Sequence, residues 1–541
     1  MWNWIKKAAK GVLIRLNLIK QVNNVTDFAA VIESENQYNL IQVWRDLYRG
    51  YLPSFHNPFS GKDETFHDIN CHTLSGNRKR RLQTLNMPKI LCETLTSLVF
   101  NQKCQVNISS GTPGEADTEG STQPDPFAES VKNVLDDNHF LKNFAYRLED
   151  CFAMGGLVIK PYFDGQKIKI TFVTADSFLP LESTEDEIRS GVFINQISKG
   201  KKYYTLLEWH TWGALNADST DVSNAPVYQI KSELYYSDSP SLLGTKVPLS
   251  TLFPNKDELV TINGLSHPLF VYLKPNLANN FELDSPLGVS VYANAVDTLR
   301  SLDIAFDSFQ REFILGKRRI LVPQTAVQSV IDPNTGEMHY YFDPNDEVYQ
   351  AMANGLDAKD EQLIKDMSVE LRVTDHIDAI NAFLNILSAQ LGFSAGTFAF
   401  SGGATVQTAT QVISENSQTF RTKQSHETQI EKAIRELVDV VAQMAQLYDL
   451  FDVPDDYDVT VDFDDSVAED RQANANFYLT LVNSNLMPKV EAIKRIFNMT
   501  DEQAQAWLAQ IQVEQPQAGN IEDIIGGSDG GGSNADTVPA K

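Results

Sequence analysis

Apolar positions fall at helical spacing twice near the start of the chain, over residues 36–51, NQYNLIQVWRDLYRGY, and over 78–101, RKRRLQTLNMPKILCETLTSLVFN. Each run predicts a helix with one buried face. After Ile108 the segment SSGTPGEADTEGSTQPDP is rich in Gly, Pro, Ser, Thr and acids, the composition of a mobile surface loop between two packed parts. A helix over about 127–153 follows, and then the period changes to two. In LVIKPYFDGQKIKITFV the pair Asp164-Gly165 sits between alternating runs and signals a hairpin. Strand-like runs continue in GVFINQIS, KYYTLLEWHTW and VYQIKSELYYS, with connections as short as KGK, so antiparallel neighbours are expected.

From 291 to 316 the residues Ala295, Leu299, Leu302, Phe306, Phe309 and Phe313 alternate three and four apart. They form one apolar seam, suited to lengthwise packing against other helices. A compact insertion opens next, with RILVP and MHYYFDP as short strands around a Pro- and Gly-punctuated turn. The chain returns at about 374 into a helix carrying Ile377, Ile380, Leu384, Leu387 and Leu391 on one face. The stretch 392–405, GFSAGTFAFSGGAT, has four glycines and no charge. A helical pattern free of Gly and Pro then runs from about 406 to about 450, which would span about 65 Å if straight. DVTVDFDDS predicts a strand and turn, helices are expected near 466–484 and 488–511, and GGSDGGGSNADTVPAK has the composition of a disordered tail. The pattern as a whole is α+β.

Composition narrows this picture. A chain of 541 residues with 42% hydrophobic and 21% charged residues is globular and large enough for two to four packed regions. Its net charge of −26 repels a DNA backbone, so any contact with DNA must be local or weak. Beyond Val453 there are sixteen acids against five bases. The four cysteines show no C-x-x-C pair and read as reduced thiols. Met1–Lys20 holds five Lys or Arg and no acid, but Arg15 and Asn17 interrupt its apolar stretch. It reads as an amphipathic helix with Trp2, Trp4, Ile5 and Leu13 on one side, solvated or docked to a partner protein, rather than as an export signal. No apolar run approaches the roughly 18–20 residues of a membrane span.

Candidate chemistry is sparse. Gly392-Phe393-Ser394-Ala395-Gly396 fits G-x-S-x-G, yet a helix precedes it and a loop follows, the reverse of a nucleophile elbow. There is no phosphate-binding G-x-x-x-x-G-K-[ST]. His67, Cys71 and His72 lack a second ligand pair for zinc. Asp462, Asp464, Asp465 and Asp470 lack the Gly and terminal Glu of a calcium loop, so a solvated acidic face is expected. Arg78-Lys79-Arg80-Arg81 reads as a solvated face or helix start. Lys317, Arg318 and Arg319 end a seam-bearing helix, and copies arranged about an axis would make of them a ring of charge, facing DNA phosphates or a neighbour's acids.

Three segments resemble one family: LYRGY at 47–51, LNMPKILCETLTSLVFNQKCQVNIS, and above all VQTATQVISENSQTFRTKQSHETQIEKAI at 406–434. They are similar to portal proteins of tailed bacteriophages, especially siphophages of Gram-positive hosts. Where that family often has Thr-Ala-Thr-Glu-Val, this chain has Thr408-Ala409-Thr410-Gln411-Val412. The resemblance implies a non-enzymatic subunit of a dodecameric ring at one capsid vertex, assembled in the host cytoplasm, with no cofactor and no metal. The implied regions are an N-terminal part and wing (1–290), a first stem helix (291–316), a clip (317–373) and a second stem helix (374–392). A tunnel loop (393–405), a long wing helix (406–452), a crown (453–515) and a disordered tail (516–541) follow.

Phe393, Thr397, Phe398, Phe400, Gly402 and Gly403 would face the channel, where Phe398 and Phe400 would reach toward passing DNA. Lys317, Arg318 and Arg319 would form a basic ring, and Leu299, Leu302, Phe306, Phe309, Ile377, Leu384 and Leu387 would pack the stem. The implied partners are other copies of the chain, double-stranded DNA passing non-specifically, the terminase large subunit, a head-completion or adaptor protein, and the major capsid and scaffolding proteins, with no membrane. Another capsid or scaffold-like structural protein is the rival reading, and a nucleic-acid-processing enzyme a more distant one.

Overall fold

A computed structural model describes residues 35–57, 62–73, 76–101, 103–110, 125–184, 187–213, 227–316, 320–321, 328–331, 338–341, 365–366, 370–400, 417–463, 471–484 and 486–497, with isolated positions at 336 and within 504–511. The chain divides into two units, the first holding 1–406 with 415–464 and the second 407–414 with 465–541.

In the first unit, α1 (Glu35–Tyr48) buries Tyr38, Ile41 and Trp44. Two hairpins follow, β1 (Ser54–Asn57) with β2 (Lys62–Thr65), and β3 (Asp68–Thr73) with β4 (Gly76–Arg81). The expected helix over 78–101 is therefore shorter. Its basic run is strand β4, because Arg80 is drawn into an ion pair with Asp307 and Arg81 stacks 4.5 Å over Tyr51. Only then does α2 (Met87–Val99) begin, with Pro88 in its first turn, where a missing amide hydrogen costs least. Strand β5 (Gln105–Ser109) comes next.

The helix expected over 127–153 is two, α3 (Pro126–Asp137) and α4 (Phe140–Met154). Asp125 caps α3 by accepting the Phe127 and Ala128 amides. At the break His139 has φ 47°, and the Asn138 side chain donates to Val134 and Ile168 carbonyls while accepting the Ile170 amide. Asn138 thereby ties the interruption to the sheet edge.

The alternating runs form strands as expected. β6 (Leu157–Phe163) and β7 (Ile168–Thr174) make a hairpin whose turn places Gly165 at φ 99°. β8 (Phe178–Ser183), β9 (Ile188–Lys199), β10 (Lys202–Gly213), β11 (Val227–Ser237), β12 (Thr245–Val247) and β13 (Leu259–Ile262) make an antiparallel sheet, with β12 and β13 both paired to β11. β14 (Val271–Leu273) adds to β6.

Helix α5 (Val296–Leu315) follows, and then a described fragment of the insertion: β15 (Ile320–Leu321), β16 (Gln328–Ile331), β17 (Met338–Tyr341) and β18 (Lys365–Asp366). β15 pairs with β18 and β16 with β17, both antiparallel. The chain returns in α6 (Val373–Gln390) and continues in α7 (Ser417–Tyr448), whose 32 residues span about 48 Å. The start expected for that helix near 406 lies outside the described residues. Strand β19 (Asp458–Asp462) then pairs back onto β5. One core runs through α1, α2, α4, the β6 sheet, α5, α6 and α7, with Trp44, Phe144, Leu302, Leu387 and Val438 all buried in it.

In the second unit, α8 (Arg471–Asn483) and α9 (Lys489–Phe497) are in contact and joined by a short link. Residues 111–124 of the loop after Ile108 and the tail after 511 lie outside the described residues.

Candidate functional site

The helix pair α5–α6 is held by its seam at one end and by charge at the other. Leu299, Leu302, Ile380, Leu384 and Leu387 are buried, while Phe306, Phe309 and Ile377 are half-buried. Burial fades along the seam, and Phe313 is 47% exposed. There Arg372 makes a two-point ion pair with Glu312, at 3.1 and 2.9 Å, which brings together the two residues flanking the insertion. The Arg372 hydrogen bonds hold the Glu312 carboxyl at about 2, below its usual range.

A second face of α5 is polar and covered. Asp303 accepts the Leu85 amide at 3.0 Å and lies 3.1 Å from His67 Nε2, and Asp307 receives Arg80 at 2.6 and 2.7 Å and the Gln83 amide at 3.1 Å. The His67 Nδ1 accepts the Leu52 amide at 2.7 Å, so its proton sits on Nε2 and is donated to Asp303. Burial would raise Asp307, but Arg80 and the Gln83 amide outweigh it and hold the carboxyl below its usual range. His67 is thus a structural hydrogen-bonding residue rather than a metal ligand. The Cys71 and His72 side chains lie outside the described set, as do Asp464, Asp465 and Asp470, and no metal-binding cluster occurs among the described residues.

Beyond α6 the chain makes a turn over 392–400 that is fastened on two sides. On the α6 side, Asn385 accepts the Gly396 amide at 2.9 Å and Asn381 the Phe400 amide at 2.8 Å. On the α7 side, Thr419 accepts the Ser394 amide at 2.8 Å, its hydroxyl lies 3.1 Å from that of Ser394, and Thr422 donates to the Gly392 carbonyl at 2.7 Å. Gly392 has φ 75°, and a Cβ there would come within 2.4 Å of the Thr422 hydroxyl. Glycine is required on both counts.

This corrects the expectation of a loose, channel-facing segment from its first residue. Phe393 is 3% exposed and belongs to the core, with Phe398 edge-on against it at 5.2 Å. Its role is to anchor the turn, because an aromatic side chain gains more from burial than from solvent. Phe400 is 60% exposed and Thr397 is exposed. Gly402, Gly403, Lys317, Arg318 and Arg319 lie outside the described residues. Ser394 is buried against Thr419, with no base in contact among the described residues, so the G-x-S-x-G match is a packed turn.

Behind the turn, a cavity of about 400 Å³ is lined by Leu95, Leu277, Ala295, Phe393, Arg421 and His426, among others. His426 is buried and accepts the Asn276 amide at 3.1 Å, and burial pushes its pKa down to about 4.

A seam-bearing helix pair around an insertion, a fastened turn and a long helix are now in place, and the comparison with known families decides among the structural readings. The family described as phage portal protein, SPP1 Gp6-like, matches residues 32–517. The chain belongs to that family. No curated protein matches it.

The portal family is structural, forms an oligomeric ring and is a component of the phage capsid. Among the described residues of this portal protein no helix is long and apolar enough to cross a membrane. Sequence reading missed four residues of the fastened turn: Asn381 and Asn385 on α6, and Thr419 and Thr422 on α7. The first pair carried a signal, since asparagines four apart share a helix face and are poor helix formers without a backbone group to bind. The threonines carried none.

Proposed function

We propose that this chain is the portal subunit through which double-stranded DNA enters and leaves one capsid vertex, and on which the packaging terminase, and later a head-completion protein, dock. The observation that carries the reading is the α5–insertion–α6–turn–α7 sequence. Two helices antiparallel along a seam lead at one end into a small β insertion and at the other into a fastened turn and a helix of 32 residues. In this reading 1–290 is the N-terminal region and wing, α5 and α6 are the stem, 317–373 is the clip, α7 is the long wing helix and 453–515 the crown.

A conduit must hold DNA without gripping it, and the net charge of −26 supplies the repulsion that keeps contacts weak. Lys317, Arg318 and Arg319 would place a local ring of positive charge at the clip. The turn at 392–400 would anchor the tunnel loop, and the exposed Phe400 would be available to meet a passing duplex. Twelve copies would complete the ring, with the major capsid and scaffolding proteins around it.

A nuclease-protection assay tests this. Procapsids assembled with the chain should protect packaged DNA when terminase and ATP are supplied, and procapsids assembled without it should protect none. Equal protection in both would contradict the proposal.

A further inference from the structure

Residues 1–20 carry a pattern to which the portal reading gives no task. Lys6, Lys7, Lys10, Arg15 and Lys20 stand among them without an acid, and Trp2, Trp4, Ile5 and Leu13 make one apolar side. An amphipathic segment of this kind is complemented by a groove that is apolar along its floor and acidic along its rim.

The first unit holds such a groove. Strand β5 is paired to β19 alone among the described residues, and a groove of about 600 Å³ lies between it and α3. Val106, Ile108 and Ala128 line it half-buried, and Leu141 of α4 lines it 36% exposed. Asp125, Glu129 and Asp136 stand along it against one base, Lys132. The acidity continues on both flanks. Phe127 at the start of α3 packs 4.8 Å from the Tyr457 ring, in a stretch that exposes Asp452, Asp455 and Asp456, and β19 exposes Asp458 and Asp462. Reach is sufficient as well. The start of α1 is pinned where Tyr38 donates to the Phe178 carbonyl, just past the Thr174 end of β7, and Asn138 at the end of α3 binds the Ile168 end. The length of β7 is about 20 Å. Residues 21–34, which join the basic segment to α1, can extend over about 45 Å.

We propose that the groove between β5 and α3 is the seat of residues 1–20 of the same chain. The apolar side of the segment covers Val106, Ile108 and Leu141, and its lysines meet Glu129 and Asp136. Charge selects this occupant: the chain as a whole is acidic at −26, and residues 1–20 supply five cations with no acid among them. Docking also holds those cations on an acidic surface rather than leaving them open to a DNA backbone, which suits a chain that must not grip its cargo. The contact lies within one subunit, so it stands or falls apart from the ring.

Photo-cross-linking of the full-length chain tests it. With benzoyl-phenylalanine in place of Leu141, irradiation should give an adduct that runs at monomer mass on a denaturing gel and that peptide mass spectrometry maps to residues 1–20. Adducts confined to other segments, adducts to residues 1–20 found only at dimer mass, or no adduct at all would overturn the proposal. A charge swap supplies the second arm. K6E/K7E/K10E should lose the adduct with an unchanged circular dichroism spectrum, E129K/D136K should lose it likewise, and the two sets combined should regain it. An adduct yield in K6E/K7E/K10E equal to that of the unsubstituted segment would also overturn the proposal.

Discussion

His67 Nε2 lies 3.1 Å from the Asp303 carboxylate, between residues 236 apart in the chain. The contact, with the Leu85 amide on the other carboxylate oxygen, fixes the N-terminal hairpins against α5. Replacing Asp303 by Ala strands a buried imidazole N–H and a backbone N–H. The expected loss is about 2–4 kcal/mol, read as a lowered urea midpoint, because unsatisfied buried donors keep their full desolvation cost. Asp303→Asn, which can still accept, should lose less.

The turn at 392–400 separates two phenylalanines that look alike in sequence. Phe393→Ser should destabilise the chain by about 3–5 kcal/mol, as deletions of buried aromatic side chains do. Phe400→Ser should leave the thermal midpoint within the scatter of surface substitutions, about ±0.5 kcal/mol. If Phe400 touches DNA, packaging with that variant should change while stability does not. Unchanged packaging and retention would remove Phe400 from the channel.

Hydrogen exchange tests the fastening itself. Thr419→Val and Thr422→Val remove the hydroxyls that hold the Ser394 amide and the Gly392 carbonyl. Amides over 392–400 should then exchange faster while those of α7 beyond Ile430 keep their protection. Equal exchange across wild type and variants would show that α6 alone holds the turn.

Acidity should loosen the segment around Asn276. His426 has its folded pKa pushed down to about 4 by burial, against 6.5 ordinarily. Its neutral form is favoured by the fold, so this contribution is complete above the ordinary value and is lost as pH falls toward 4. Wild type should lose more stability between about pH 7 and pH 5 than His426→Gln does, measured by thermal denaturation.

Glu436, on the same helix, has the opposite sign. Burial raises its pKa to about 7, with Lys432 and His267 opposing the shift and Glu187 and Asp439 adding to it. The protonated carboxyl is favoured, so its contribution is present below the ordinary 4.5 and is lost as pH rises through 7. Glu436→Gln should stabilise the protein by about 1–2 kcal/mol near pH 8 and change little near pH 4. A variant less stable at the higher pH would contradict the assignment.

Elements with a clean period were legible in the sequence. The β6–β7 hairpin was visible in Asp164-Gly165 and the alternating flanks, and α5 and α6 in their apolar seams. What failed did so where a tertiary contact overrode local pattern. Arg80 reads as a helix start until Asp307, far along the chain, draws it into a strand. Asn138 gives no warning that its side chain will stop one helix and bind β7. Phe393 and Phe400 share an uncharged, glycine-rich stretch, and only the packing of Phe398 and the hold of Thr419 and Thr422 bury one and expose the other. The family itself was legible in 406–434, a segment whose first residues lie outside the described structure.

The central claim is that copies of this chain close into a ring around a channel. Negative-stain electron microscopy of the purified full-length protein tests it most directly. The account predicts rings with a central hole and one rotational symmetry; a uniform population of monomers at high concentration, with scaffolding protein also present, would contradict it.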